Sequence, residues 1–182
     1  MQISAKADYA VRALCVIAGA DEAVAVKADE VADAQAIPRK FLDVILADLR
    51  RAGLLASRRG AVGGYRLARP AYAITVADVI RVTDGPLAIV HGQRPEALGY
   101  PGAAQHVQDV WVAVRAVLRE VLERTTIEDL ISGRLPATVT TRTQESRAWR
   151  SVWPTEADAA AHERSTANNV MTSLWGRGGG SA

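Results

Sequence analysis

The stretch Ile37–Arg69, IPRKFLDVILADLRRAGLLASRRGAVGGYRLAR, decides the fold of this chain. It predicts an amphipathic helix that opens at Pro38, followed by a short strand, a glycine-rich tip and a return strand. The stretch contains eight basic and two acidic residues, a net charge of +6, whereas the whole chain of 182 residues carries +2. Such a concentration of positive charge on a helix and a hairpin is typical of a winged helix-turn-helix that grips duplex DNA.

The elements around the basic helix are also indicated by the sequence. Apolar periodicity predicts two earlier helices, over Ala5–Ala20 and about Ala28–Ala34, so the basic helix is the third. Strands are predicted at Leu54–Ser57 and Tyr65–Leu67, on either side of the tip. This order predicts a mainly α fold with a small β-hairpin wing. The third helix is expected to bury an apolar stripe that comprises Phe41, Leu42, Ile45, Leu46 and Leu49.

The second half of the chain predicts a long helix over about Ala103–Arg124. Apolar side chains recur along it at heptad-like spacing and extend further than one small domain needs. A short helix around Ile127–Ile131 is expected to fold back on the long one. We interpret the apolar stripe as a dimerisation surface made of Val107, Val110, Trp111, Val114, Val117, Leu118 and Val121.

These elements divide the chain into four parts. We expect a winged helix-turn-helix domain over residues 1–84, a loop over 85–102, the dimerisation helix with a short return helix over 103–132, and a largely disordered tail over 133–182. A fourth helix with a capping box, Thr75–Asp84, closes the first part. In the tail, only Thr155–Arg164 has a helical pattern. Three tryptophans there have no assigned role: Trp149, Trp153 and Trp175.

Composition excludes several classes of protein. No apolar run approaches the roughly 18 residues of a membrane span, and the N-terminus lacks the apolar core of a signal peptide. The single cysteine, Cys15, excludes an intramolecular disulfide and fits a reducing cytoplasm. Alone, it cannot supply the thiolates of a zinc site or an iron–sulfur cluster. No catalytic set of serine, histidine and aspartate is evident, so the sequence does not predict an enzyme.

Candidate DNA contacts lie on the third helix and on the tip. Arg39, Lys40 and Asp43 occupy the solvent-facing first turn, where a recognition helix meets base edges. Lys40 could donate to guanine O6 and N7, and Asp43 could accept from cytosine N4. At the tip, the adjacent Arg58 and Arg59 repel one another unless phosphates neutralise them. We therefore assign Arg59 to the minor groove and Arg58 to a phosphate.

Two alternatives remain for these residues. The third helix could simply present a solvated face. The tip could be the phosphate-binding loop of an enzyme, but GAVGGY matches neither of the glycine-rich nucleotide-binding fingerprints. The tip is also followed by a strand rather than by a helix, which disfavours the enzyme loop.

Three motifs follow one another along about Met1–Ser132: M-x-I-S-A-K-x-x-YAVRAL, IPRKFLDVIL-x-x-L-x-x-AGLLASRRGAVGGYRLAR and ITVADVIRVTDGPL. Together they resemble the Rrf-two (Rrf2) family of bacterial winged helix-turn-helix transcription regulators. The resemblance implies homodimers that bind palindromic operators. By position it implies DNA contacts at Lys40, Asp43, Arg59, Gly60 and Gly64, with supporting or backbone contacts at Lys6, Tyr9, Lys27, Arg39 and Tyr65. We also include Pro38, at the start of the third helix, among the candidate DNA-binding residues.

The chain departs from this family in its cysteines. Cluster-binding members carry three cysteines before and at the start of the long helix, whereas Leu87–Val110 contains none. The resemblance is therefore to the branch that lacks the cluster cysteines, and no cofactor is expected. Cys15 is expected to pack in the core. Ala36 stands where the turn between the second and third helices often has glycine. His91, His106 and Asp109 are weak candidates for a metal site, because loop and helix-face histidines are usually just solvated.

The sequence thus predicts a cytoplasmic, homodimeric regulator, most simply a repressor, that binds double-stranded DNA and no membrane. Two alternatives add a control to DNA binding. In one, a partner enzyme docks on the Gly85–Gly102 loop and the tail. In the other, a small molecule or a metal binds between that loop and the long helix, within residues 85–110.

Overall fold

The computed structural model describes residues 3–21, 24–58, 60 and 63–150 of the chain. Packing divides the chain into two units, Met1–Thr141 and Arg142–Ala182. The described helices are α1 (Ala5–Gly19), α2 (Ala28–Gln35), α3 (Arg39–Arg51), α4 (Val76–Thr83), α5 (Val107–Leu122), α6 (Ile127–Ser132) and α7 (Ala137–Gln144), and the strands are β1 (Leu55–Arg58) and β2 (Gly64–Leu67). Short 3-10 turns lie at Ala71–Ala73, Pro95–Ala97, Gly102–Ala104 and Ser146–Trp149. No helix in the described ranges is long and apolar enough to span a membrane.

Helix α1 lies at the centre of the first unit, where it packs against α2, α3, α4, α6 and β2. Ala7, Ala10 and Ala13 are at most 1% exposed, and their small side chains let the neighbouring elements approach closely. Leu14 extends the same face into the core. Ser4 caps the helix, because its Oγ accepts from the N–H of Ala7 at 3.0 Å.

Helix α3 begins at Arg39, directly after Pro38, and packs against α1, α2 and α4. Four of the five predicted stripe residues are fully buried, but the prediction for Phe41 is wrong, because 44% of its surface is exposed. Phe41 lies about 100° around the helix from Leu42, outside the stripe. Its ring instead meets Tyr9 edge-on, with ring centroids 5.8 Å apart.

The turn between α2 and α3 depends on Ala36, which adopts the left-handed conformation with φ 51° and ψ 44°. This conformation ends α2 and lets the N–H of Ile37 donate to the carbonyl of Ala32 at 3.0 Å. Ile37, which is 3% exposed, then enters the core just ahead of α3. Because a Cβ is strained in this region of φ and ψ, the turn forms at a cost in stability.

Strands β1 and β2 form the predicted antiparallel wing, in which Arg58 faces Gly64 at the end next to the tip. Both strands agree with the prediction to within one residue at each end. An isolated backbone pair joins the wing to the chain before α2. The N–H of Val26 donates to the carbonyl of Tyr65 at 2.9 Å, and the N–H of Tyr65 donates to the carbonyl of Val26 at 2.8 Å. The wing is therefore fixed against the helix-turn-helix.

The predicted packing of α6 is wrong: this helix packs against α1 and does not fold back on the long helix. Ile127 is fully buried there, and its N–H donates to the carbonyl of Ile74 at 2.9 Å. The N–H of Val76 donates to the carbonyl of Thr125 at 2.9 Å. This backbone pairing and the burial of Ile127 make the residues after α5 part of the winged helix-turn-helix core.

The other elements of the second half differ from the prediction mainly in their bounds. The capping box at Thr75 and Asp78 is confirmed, and it starts α4. Helix α5 begins at Val107 because the chain before it forms a 3-10 turn after Pro101. Helix α7 lies where the sequence predicted a disordered tail. The calls on Thr155–Arg164, Trp153 and Trp175 fall outside the described residues.

Because Ala36 is strained, its replacement by glycine should stabilise the protein. Ala36→Gly should raise the free energy of unfolding by about 1 kcal/mol, because glycine adopts positive φ without the penalty of a Cβ. Ala34→Gly is the matched control: this exposed position inside α2 should lose about 0.5–1 kcal/mol. Urea denaturation measures both. A loss of stability in Ala36→Gly would contradict the conformation of the turn.

Candidate nucleic-acid interface

The first turn of α3 carries the three exposed charged residues that were predicted to contact DNA, and they differ in their partners. Arg39 donates from Nε to Oδ1 of Asp29 at 2.7 Å and also pairs with Asp43. The side chain of Lys40 has no ion pair or hydrogen bond within the described part of the chain. Lys40 is therefore the cation on this turn whose charge no neighbouring carboxylate neutralises.

Sequence reasoning missed an exposed apolar side chain on the same helix. Val44 is 55% exposed and lies one turn after Lys40, on the same face. An apolar side chain in this position can pack against the methyl group of thymine. The signal was present in the sequence, because Val44 falls outside the predicted apolar stripe of this helix.

Lys6, predicted as a supporting contact, lies in an ion pair within the protein. Its Nζ is 2.7 Å from Oδ2 of Asp48 on α3, and Arg51 pairs with the same carboxylate. The hydrogen bond from Lys6, followed by that from Arg51, lowers the pKa of Asp48. Lys6 therefore joins α1 to α3 and helps to set the position of α3.

Tyr9, a second predicted supporting contact, is half-buried between two side chains. Its ring meets Phe41 edge-on, and the guanidinium of Arg12 lies 5.3 Å from its centroid. Arg12 in turn donates from Nε to Oε1 of Gln35 at 3.1 Å. These contacts connect α1, α2 and α3 close to the first turn of α3.

The base of the wing needs a glycine at position 64. A Cβ built on Gly64 would lie 2.5 Å from the carbonyl oxygen of Val26, so no side chain fits there. The backbones of Gly64 and Val26 therefore approach each other closely. The contact also brings Lys27, an exposed residue just before α2, next to the backbone pair of Val26 and Tyr65.

The tip of the wing is described only in part. Arg58 is exposed at the end of β1, and Gly60 has a positive φ of 106°. Arg59, which we assigned to the minor groove, lies outside the described residues. In the parts of the helix-turn-helix and wing that are described, six exposed cations have no ion pair: Lys27, Lys40, Arg50, Arg58, Arg66 and Arg69.

Helix α5 presents its predicted dimerisation stripe to solvent. None of its residues is buried in the single chain. Val110 is 56% exposed, Val117 47%, Val114 41% and Trp111 39%. The other three stripe residues, Val107, Leu118 and Val121, are half-buried. Four large apolar side chains on one exposed helix face are the kind of surface that marks a protein–protein contact.

Comparison with known proteins decides the family. A family model described as "Iron-dependent Transcriptional regulator", Rrf2, matches residues 3–133. The chain belongs to the Rrf2 family. A Mycobacterium tuberculosis protein named as an HTH-type transcriptional regulator is 47% identical over 151 residues, which cover 83% of this chain and 94% of that protein.

Solved structures agree with this assignment. The structure of CymR, the global cysteine regulator of B. subtilis, matches with a TM-score of 0.64 and 32% identity, and the match covers 73% of this chain and 98% of that one. The IscR structure of T. potens matches with a TM-score of 0.60 and 31% identity over 74% of this chain and 88% of that one. The mainly helical winged fold of this Rrf2 regulator is therefore confirmed.

The family description names iron, but the residues of this chain do not fit an iron–sulfur cluster. Such clusters are held chiefly by several cysteine thiolates, and the chain has one cysteine. Cys15 lies half-buried on α1, and burial raises the pKa of its thiol. It packs against the core, as the sequence predicted.

The weak metal candidates are only partly brought together. Nδ1 of His106 is 3.3 Å from Oδ2 of Asp109, and both side chains are exposed. His91 instead occupies a tight turn between Val90 and Gln93, with a positive φ of 50°. Across the described residues, no group of three histidine, cysteine, aspartate or glutamate side chains could hold a metal ion.

The close approach at Gly64 makes a testable prediction. Gly64→Ala should lower the free energy of unfolding by about 1–3 kcal/mol, because the new Cβ must push the wing away from Val26. Gly19→Ala is the control: nothing lies within 4 Å of a Cβ there, and the position is at the end of a helix. Hydrogen exchange at the N–H groups of Val26 and Tyr65 reports the same change locally. Unchanged protection of these two groups in Gly64→Ala would contradict the close approach.

Proposed function

We propose that this Rrf2 regulator is a sequence-specific DNA-binding protein, most simply a repressor, that acts as a homodimer on a palindromic operator without an iron–sulfur cluster. The observation that carries the proposal is the unneutralised Lys40 on the exposed first turn of α3. This residue lies in the unit that also holds the unpaired cations of the wing. DNA phosphates and base edges are the ligands that such a surface fits.

In this proposal α3 reads the major groove. Lys40 donates to guanine O6 and N7, and Val44, one turn later, packs against a thymine methyl group. Asp43 accepts from cytosine N4 once Arg39 turns from it to a phosphate. When Arg39 moves to the phosphate, it gives up its ion pair with Asp43. That pair is exposed, so its loss costs little free energy, and Asp29 remains beside Arg39 as a second partner.

The wing supplies contacts outside the major groove. Arg58 meets a phosphate, and Arg59 enters the minor groove, whose negative potential attracts arginine. Gly60 and Gly64 keep the hairpin slim, and the Val26–Tyr65 pair holds it beside α2. Lys27 adds a phosphate contact at the base of the wing.

Dimerisation through α5 follows from its exposed stripe. Trp111 and Val114 also line an apolar groove of about 420 Å³. Helix α5 forms one side of this groove, and the loop that follows α4 forms another. Burying a stripe of this length against a second copy removes large apolar side chains from water. Two recognition helices are then available for two half-sites one turn of DNA apart, roughly 34 Å.

The experiment for DNA recognition is selection of bound duplexes from a random library, followed by anisotropy titration of the best duplex. Lys40→Ala should weaken this binding by about 1–3 kcal/mol and relax the preference at one base pair in each half-site. Arg124→Ala, an exposed change beyond the end of α5, should leave affinity within a few-fold. Equal affinities of Lys40→Ala and the unchanged protein would remove Lys40 from the interface.

The experiment for dimerisation uses charge on the stripe. Val114→Asp should convert the dimer to a monomer in sedimentation velocity, because an unpaired carboxylate buried in an apolar interface is strongly disfavoured. Ala116→Asp places the same charge on an exposed position at the opposite face of α5 and should leave the dimer intact. Circular dichroism checks that both variants fold. A Val114→Asp protein that stays dimeric would rule out this interface.

A further inference from the structure

A second cluster of positive charge lies between α4, the loop that follows it and α5. It surrounds a cavity of about 430 Å³, a size within the roughly 300–1,000 Å³ of pockets that hold small ligands. Four guanidinium groups and one carboxylate line the cavity. The lining residues are Arg81, Arg94, Arg115, Arg119 and Glu123, together with Pro86 and Leu87.

The single lining carboxylate is shared by two guanidinium groups. Arg119 donates from Nε to Oε1 of Glu123 at 3.0 Å, and Arg81 pairs with the same oxygen. The hydrogen bond from Arg119, with a smaller contribution from Arg81, lowers the pKa of Glu123, so this group is a carboxylate at neutral pH. Arg81 also pairs with Asp78, whose Oδ1 lies 3.6 Å from its guanidinium. With Glu96 paired to Arg115, three carboxylates face four guanidinium groups, so the cluster keeps a net positive charge.

The other two arginines have unused hydrogen-bonding capacity. The side chain of Arg115 is 13% exposed and pairs with Glu96, but its Nε is buried and has no hydrogen-bond partner. A buried N–H without an acceptor is rare in folded proteins and disfavoured. The exposed side chain of Arg94 has no ion pair within the residues the structure describes. An acceptor-rich ligand in the cavity would lie beside Arg115 and would meet the unpaired guanidinium of Arg94.

We propose that this cavity binds a small anion bearing carboxylate or phosphate oxygens, and that the bound anion regulates DNA binding. Guanidinium groups bind such oxygens through paired N–H donors, which gives both affinity and geometry. The regulatory half of the inference rests on the proposed function, whereas anion binding itself does not.

The route from the cavity to the DNA-binding domain is short. Arg81 belongs to α4, whose Ala77 and Val79 are fully buried in the core, and Glu123 directly follows α5. An anion that engages Arg81 and Arg119 competes with Glu123 for both. It therefore weakens a link between the DNA-binding domain and the dimerisation helix, and alters how the two recognition helices are held.

The anion site and the two most exposed valines of the stripe lie on different sides of α5. Around the helix, Arg119 lies at least about 120° from Val110 and Val117, whereas Arg115 lies closer to Trp111. A second copy that covers Val110 and Val117 therefore leaves Arg119 facing away from them.

Thermal melting of the full chain tests anion binding without DNA. Citrate and inorganic phosphate are separate arms, each at about 10 mM, with sodium chloride at matched ionic strength as the reference. The better anion should raise the melting temperature by about 4 °C or more over the chloride reference. A larger shift with citrate indicates a carboxylate ligand, and a larger shift with phosphate indicates a phosphorylated one.

Three variants locate the site. Arg119→Gln and Arg94→Gln should each weaken binding of the better anion about tenfold in calorimetric titration. Arg124→Gln, an exposed change just beyond the end of α5, should leave it unchanged. Arg94 lies on the loop and outside the α4–α5 ion pairs, so its variant reports on the site even if Arg119→Gln folds poorly.

Each contrary outcome has a definite meaning. No shift beyond the chloride reference, or an equal loss in Arg124→Gln, would overturn the anion site. Weaker binding of random duplex by Arg94→Gln and Arg119→Gln in the absence of added anion would show that the cluster contacts DNA instead. Anion binding that changes duplex affinity by less than about threefold would overturn the regulatory half alone, and failure of all duplex binding would count against the proposed function.

Discussion

The backbone pair between Val26 and Tyr65 is the constraint on which the DNA-binding surface depends. It ties the wing to the start of α2, and it exists only because Gly64 has no side chain at the point where the two backbones meet. Helix α3 and the wing follow one another in the sequence, but their relative position in space sets which grooves and phosphates both can reach at once. The ion pair between Lys6 and Asp48 acts in the same way on the other side, because it fixes α3 to α1.

The sequence predicted the fold well where local patterns carry the information. The charge of Ile37–Arg69, the apolar spacing of α3 and the capping box at Thr75 all depend on residues a few positions apart. It failed where long-range packing decides. Phe41 is large and apolar, as core residues usually are, but its ring packs against Tyr9. Helix α6 packs against α1 through the buried Ile127 rather than against α5.

The same division holds for the candidate interface. Lys40 could be named from its position on the first turn of α3, but the ion pairs that neutralise Arg39 and hold Lys6 join residues distant in the chain. Val44 is uncharged, so a prediction from charge alone does not include it, although its helical phase places it beside Lys40. The arginines around the anion cavity come from α4, the loop and α5, so no sequence motif unites them. For the charged residues, the folded chain, and not the local sequence, decides which cations have partners.

A distance between spin labels on the two recognition helices tests the account most directly. The single cysteine makes the labelling simple: Cys15→Ala removes it, and Lys40→Cys places one label on each protomer. Pulsed electron paramagnetic resonance of the metal-free protein should give one narrow distribution centred near ~34 Å, the spacing of successive major grooves on one face of DNA. The absence of any interspin distance, or a distribution centred far from one helical turn, would contradict a dimer built to read two half-sites.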